Sequence, residues 1–408
     1  AITKIQLFIE KLLFLPHYLG VGNFSNSLIT PKIPTMSNII ILLIVFAATL
    51  LSGLFLTPYI VSLARELHLY DLPDSRKVHK LPIPRLGGVV FIPVTIVVIS
   101  SLLVVLLRIG YDVEALWRGT NVQHFLAYMA GSLMLYAIGL YDDIHGVSYR
   151  IKFIVQIIAA SLLCISGLWI ADFSHVFMID EVPFWIGMPI SILFVVYVTN
   201  AMNLIDGIDG LASGLSAIAL TVIAALYIID LDTIWAMLAV AFLGVVVAFY
   251  YYNVFQKKNK IFMGDAGSLT LGYTLSFLIL HFWQANAVWN IHLHNIGIVA
   301  LSTLAIPLLD VVRVFASRIR DGRNPFLPDK NHIHHKLLRT GMGPKYTMAC
   351  ILFCSLFIIV CNYLVAAYLS QTLIIVADIL FYCLMHVIIN HFIAKKERIT
   401  GTEWRREI

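Results

Sequence analysis

Charge is scarce in this sequence. Of 408 residues, only 12% are Asp, Glu, Lys or Arg, about half the share of an ordinary soluble chain. Against that, 60% are hydrophobic. A soluble fold has no way to cover so much apolar surface, so the composition excludes that class and predicts an all-α polytopic integral membrane protein. Cysteine is scarce too. The five (Cys164, Cys350, Cys354, Cys361 and Cys383) lie in apolar runs, with neither the spacing of a zinc site nor a disulfide framework. There is no repeat of fixed period and no low-complexity segment, and no nucleic-acid partner is expected.

Long apolar runs are abundant. A membrane span needs about 20 such residues, and eleven runs qualify, near 38–63, 87–107, 123–141, 151–171, 183–199, 210–229, 233–252, 267–284, 295–315, 347–369 and 371–394. The membrane domain is thus 38–394, followed by a basic cytoplasmic tail, 395–408. Residues 1–37 form an extension of unassigned role: an interfacial helix, an expression remnant or an upstream piece. They do not resemble a signal peptide.

Lys and Arg gather on alternate loops, such as 64–86, 253–266 and 316–346, whereas the intervening loops carry Arg108 and Arg118 only. Positive charge marks the cytoplasmic side. The first span therefore starts outside and the chain ends inside. Charge is nearly absent from mid-span positions, which argues against a secondary transporter. Asp310 and Arg313 lie toward the cytoplasmic end of one span, spaced to pair across a helical turn.

With that orientation, five polar segments distant in sequence meet one membrane surface. They are DLPDSRKVHKLPIPRLGG (71–88), YDDIHGVSYRIK (141–152), VTNAMNLIDGIDGLASG (198–214), KIFMGDAGS (260–268) and RDGRNPFLPDKNHIHHKLLRTGM (320–342). Together they bring Asp142, Asp143, Asp206, Asp209 and Asp265 to one side. Carboxylates at close range raise one another's pKa or demand a cation. Oxygen-only ligands favour Mg²⁺, with Mn²⁺ as a substitute, over zinc. Asn200, Asn203 and Asp206 at steps of three would make a slanting helical stripe, although Asn, Asp and Gly are also the residues of a simple turn. Phe262 is open to two readings, a ring face for a planar base or an interfacial anchor. His332, His334 and His335, with Arg323 and other cations nearby, suit a phosphate or a lipid headgroup. Lys77, His79 and Arg85 either hold a lipid phosphate or only mark the inner side. Divalent-metal ligands, phosphate-binding cations and a membrane setting together suggest phosphoryl transfer involving a lipid.

The blocks PRLGG, YDD, NAMNLIDGIDGL, FMGDAGSLTLG and HIHH, in that order over roughly 38–394, resemble the polyprenyl-phosphate N-acetylhexosamine-1-phosphate transferase family. The resemblance implies transfer of a sugar 1-phosphate from a UDP-sugar to a polyprenyl phosphate, with release of UMP. It implies Asp265 and Asn203 as Mg²⁺ ligands, and Asp142 as a base near the lipid phosphate with Asp143 in support. Lys77, Lys152 and Arg323 would contact phosphate, and His79 and Arg85 the lipid phosphate. Phe262 would stack on uracil, and Asn200, Asp206 and Asp209 would border the nucleotide, the two aspartates also counting as catalytic. The three histidines would bind diphosphate or sugar. HIHH followed by KLL resembles the GlcNAc branch, so the expected substrates are UDP-GlcNAc and undecaprenyl phosphate. The expected setting is the bacterial cytoplasmic membrane, with membrane lipid and a second copy (a homodimer) as partners. A muramoyl-pentapeptide transferase, another UDP-amino-sugar transferase and a lipid-binding scaffold without catalysis are the alternatives. The chain departs from the pattern at Gly146, where many members carry a third acidic or lysine residue.

Overall fold

The structure is a computed structural model and describes residues 36–71, 82–113, 122–176, 178–289, 296–324 and 330–401. Residues 1–35, and with them nearly all of the N-terminal extension, lie outside the described residues, as do Lys77 and His79. The described chain is helical apart from two small two-stranded antiparallel sheets, which apolar periodicity did not foretell. The helices are α1 Met36–Glu66, α2 Phe91–Arg108, α3 Val122–His145, α4 Tyr149–Ile165, α5 Phe184–Ile205, α6 Leu211–Ile229, α7 Thr233–Val254, α8 Gly264–Trp289, α9 Ile296–Ser302, α10 Ala305–Arg320, α11 Ile333–Arg339, α12 Pro344–Val365 and α13 Gln371–Thr400. The sheets pair Tyr70–Asp71 with Ile83–Pro84, and Asp172–Val176 with Ile179–Glu181.

Nine helices among the described residues are long and apolar enough to cross a bilayer, or ten if the bent pair α9 and α10 is counted as one span. Two of the eleven expected spans therefore look different. Span 151–171 becomes α4, which ends at Ile165 after 17 residues, about 26 Å of helix. Span 295–315 is broken, with α9 and α10 meeting at 62°. The break has a local cause. Pro307 has no amide hydrogen to give the carbonyl of Thr303, four residues back. The hydroxyls of Ser302 and Thr303 instead turn back onto the carbonyls of Val299 and Ala300. At the other end of the chain, α13 runs on to Thr400, so the basic tail begins inside a helix.

Helices α7 and α8 are almost wholly enclosed, whereas most of α13 faces outward. Along α7, residues on every side are buried, Trp235, Phe242 and Phe249 among them. A helix that is apolar all round belongs at the centre of a bundle. Helix α1 and helix α6 pack on α7, and α3 and α5 pack on α8. This central pair carries the polar turn 255–263 at one end, and the candidate site is built around that turn.

Candidate functional site

Helix α8 starts at Gly264, whose φ of +73° lies in the left-handed region that favours glycine. Asp143, near the end of α3, accepts hydrogen bonds from the backbone amides of Asp265 (2.8 Å) and Ala266 (3.0 Å). Those are first-turn amides with no partner inside their own helix, so a carboxylate from another helix caps α8. A Cβ on Gly264 would stand 2.5 Å from Asp143 Oδ2. The cap fixes where Asp265 points.

Asp265 then gathers two further elements, α4 and α5. Lys152 Nζ, from α4, donates to Asp265 Oδ2 (2.7 Å) and to Asp142 Oδ2 (3.4 Å). Asn203 Nδ2, from α5, donates to Asp265 Oδ1 (3.0 Å) and to Ser268 Oγ (2.8 Å). Asp142 Oδ1 accepts from the amide of Val147, which closes the turn between α3 and α4. Asp142, Lys152, Asn203 and Asp265 thus form one chain of contacts across α3, α4, α5 and α8. Their side chains are neither sealed nor free, with Lys152 and Asp265 each about one-fifth exposed (22% and 21%).

The opposite wall is the turn after α5. Asn200 and Asn203 lie on the last turns of α5, Asp206 stands just beyond its end, and Asp209 sits in the turn itself. Helical stripe and turn are therefore both present. The side chain of Asp206 makes no hydrogen bond among the described residues. Burial pushes its carboxyl up to about 7, and the charges of Asp209 and Asp265 add to the push. Asp209 pairs with Lys260 (2.5 Å), whose ammonium also lies 6.0 Å from the centre of the Phe262 ring. Asn200 stands apart from the carboxylates. Its amide donates to Gln156 Oε1 (2.6 Å), one helical turn along α4 from Lys152.

The PRLGG segment has a mainly structural part in this assembly. Gly87 and Gly88 donate their amides to the carbonyls of Phe262 and Met263, both at 2.8 Å. A Cβ on Gly88 would come within 2.0 Å of the Gly267 backbone. Arg85 pairs with Asp71 (2.5 Å).

The histidine block reaches the same place through α11. His334 is buried, and neither ring nitrogen has a hydrogen-bond partner among the described residues. Burial holds its imidazole well below the usual histidine range, with the neighbouring His335 and His332 adding to this. Its Nε2 would meet a Cβ on Gly207 at 2.1 Å, so the ring lies against the turn after α5. The ring of His335 lies against that of His334, tilted by 45° with centroids 4.2 Å apart. Arg323 pairs with Asp321 (2.9 Å).

Three residues to which the motifs assign no role complete the framework. Ser268 receives Asn203. Gln156 anchors Asn200. Asn253, buried at the end of α7, accepts the amide of Gly210 (2.6 Å) and donates to the carbonyl of Ile261 (2.9 Å), which joins the two polar turns. Polar residues inside or at the edge of apolar runs were the available signal for Gln156 and Asn253.

Among known proteins, the model of glycosyl transferase family 4 matches residues 125–282, which include Asp142, Lys152, Asn203 and Asp265. A probable undecaprenyl-phosphate N-acetylglucosaminyl 1-phosphate transferase of Bacillus subtilis (strain 168) is 31% identical over 313 residues, 76% of this chain and 81% of that protein. The chain belongs to glycosyl transferase family 4. Undecaprenyl-phosphate alpha-N-acetylglucosaminyl 1-phosphate transferases of Yersinia pestis and of Escherichia coli (strain K12) are each 30% identical over 295 residues, 71% of this chain and 74% of theirs. The family match ends at 282, so α11 and its histidines lie beyond it.

Proposed function

We propose that this membrane protein transfers GlcNAc 1-phosphate from UDP-GlcNAc to undecaprenyl phosphate, as its relatives are named to do. The observation that carries the reading is the chain Asp142–Lys152–Asp265–Asn203, in which one ammonium is shared by two carboxylates. Two acids that need a cation between them, beside a turn that carries two more, suit a diphosphate and a divalent metal.

The donor set fits Mg²⁺. No group of three or more His, Cys, Asp or Glu able to hold a metal gathers among the described residues, so a closed protein cage is not what these residues build. Mg²⁺ is commonly held by one or two carboxylates with phosphate oxygens and water completing the shell. Asp265 and the amide oxygen of Asn203 would hold it, and the metal, when bound, neutralises charge on the diphosphate.

In the reaction, an oxygen of the lipid phosphate bonds to the phosphorus that carries the sugar. The bond from that phosphorus to the bridging oxygen breaks, and UMP leaves with the electron pair. Asp142 takes a proton from the lipid phosphate in this reading, and Asp143, bonded to the amides of Asp265 and Ala266, keeps Asp265 in place. Lys152 offsets charge on the reacting oxygens. Lys260, tethered to Asp209 beside Phe262, marks the nucleotide end, with the Phe262 ring against uracil. The histidines on α11 face the sugar diphosphate. Loop charge supports eleven spans, an outside start, and a site open to the cytoplasm at the bacterial inner membrane.

Purified protein in detergent, given undecaprenyl phosphate and Mg²⁺, should release UMP from UDP-GlcNAc. Faster release from UDP-MurNAc-pentapeptide or UDP-GalNAc would reassign the donor. Silence with all three would sink the transferase reading.

A further inference from the structure

Asp310, in the second half of the broken span, is wholly buried and accepts hydrogen bonds from four groups. Three converge on Oδ1: Arg313 Nη2 (2.8 Å), the backbone amide of Ile333 (3.0 Å) and the hydroxyl of Tyr382 (2.9 Å). Oδ2 is left to His332, whose Nδ1 lies 2.8 Å away. Arg313 also donates to the carbonyl of Asn331. His332 is therefore gripped by its ring and through both neighbours in the chain. Its Nε2 makes no hydrogen bond among the described residues, and its ring lies parallel to that of His334, 5.9 Å away, which presses on Gly207.

We propose that Asp310 is a positioning residue for the transfer reaction, holding His332 with Nδ1–H toward α10 and Nε2 toward the sugar diphosphate. The inference rests on the proposed function, in which the histidines of α11 touch the substrate. An ionised carboxylate only accepts, so Nδ1 must carry its hydrogen in either charge state of the ring. Nε2 is then the atom left to meet a phosphate or sugar oxygen. Carboxylates behind working histidines set tautomer and ring orientation in this way, and their loss commonly costs 10–100-fold.

Asp310→Asn tests the idea because its outcome is dictated by Oδ1. Three donors face that position, so the amide oxygen must lie there. The amide nitrogen then faces Nδ1 and forces the opposite tautomer. In full-length enzyme, kcat should fall about 10–100-fold, while KM for UDP-GlcNAc changes less than about twofold. In a His332→Gln background the same substitution should cost less than about twofold, since the group it acts through is gone. An undiminished loss in that background, or a loss carried by KM, would show a role confined to fastening α10, α11 and α13, and would overturn the proposal. If Asp310→Asn does not yield folded protein, Tyr382→Phe takes its place in the cycle. A few-fold fall in kcat that vanishes with His332→Gln supports the proposal, and one that persists overturns it. Full activity of His332→Gln itself would remove the histidine from the reaction, so the proposed role of α11 fails along with the inference. Full activity of Asp310→Asn beside a crippled His332→Gln would sink the inference alone.

Discussion

Among the described residues, Lys152 is the one group hydrogen-bonded to both Asp142 and Asp265, and neither carboxylate is well exposed. Removing the ammonium leaves two neighbouring acids without the cation they share. Lys152→Ala should lower kcat for UMP release by about 100-fold or more, as loss of one charge-stabilising donor does elsewhere. An undiminished rate would take Lys152 out of the site. Asp206 gives a pH signature. Its carboxyl is raised to about 7, mainly by burial, against about 3.9 in an unfolded chain. The folded state therefore holds a proton that the unfolded state has lost, and stability falls as pH rises from about 4 to 7. In EDTA, Asp206→Asn should match the parent in thermal unfolding below pH 4 and exceed it above pH 7. Equal profiles across that range would contradict the assignment. The acids themselves were legible in the sequence, since carboxylates are rare in an oily chain. Their partners were not. That Asp143 faces backbone amides and Asn200 faces Gln156 depends on how α3 and α4 lie against α8 and α5, which no local pattern encodes.

At the scale of elements, the site depends on close backbone approach. PRLGG and FMGDAG touch at Gly88 and Gly267, where a single methyl has no room. Gly88→Ala should destabilise the protein by about 1–3 kcal/mol through overpacking, measured as a fall in detergent unfolding temperature, with UMP release lowered in step. Asp143→Ala strips two amides at the start of α8 of their acceptor. It should cost about 1–3 kcal/mol and reduce activity even where the fold survives, because Asp265 rides on that turn. A variant of normal activity and stability would refute the capping role. The residue types of the basic loop suit either lipid binding or surface charge. The structure gives PRLGG a third part, as a spacer that seats α8, and two glycines in a row were its signal.

For the whole molecule, hydropathy located the spans but was blind to their shape. It merged α9 with α10 because a bend changes no residue's polarity, though Pro307 stood in the sequence as a cause. It lengthened α4 because apolar residues continue past Ile165 into the turn. The proposed orientation rests on loop charge and has a direct check. In a variant lacking the five native cysteines, Met178→Cys, in the exposed turn between the second pair of strands, should react with an impermeant maleimide added outside spheroplasts. Lys257→Cys should react only after the membrane is opened. The reverse pattern would invert the protein and move the site away from cytosolic nucleotides.

The central claim is that residues from α3, α4, α5 and α8 meet to form one metal-dependent phosphoryl-transfer centre. The most direct test measures UMP release from UDP-GlcNAc and undecaprenyl phosphate by purified protein, with Mg²⁺ or EDTA, for the parent and for Asp265→Ala. Release that needs Mg²⁺ and is abolished by the substitution, in protein whose unfolding temperature is unchanged, is the predicted result. Release that survives EDTA, or survives Asp265→Ala, would contradict it.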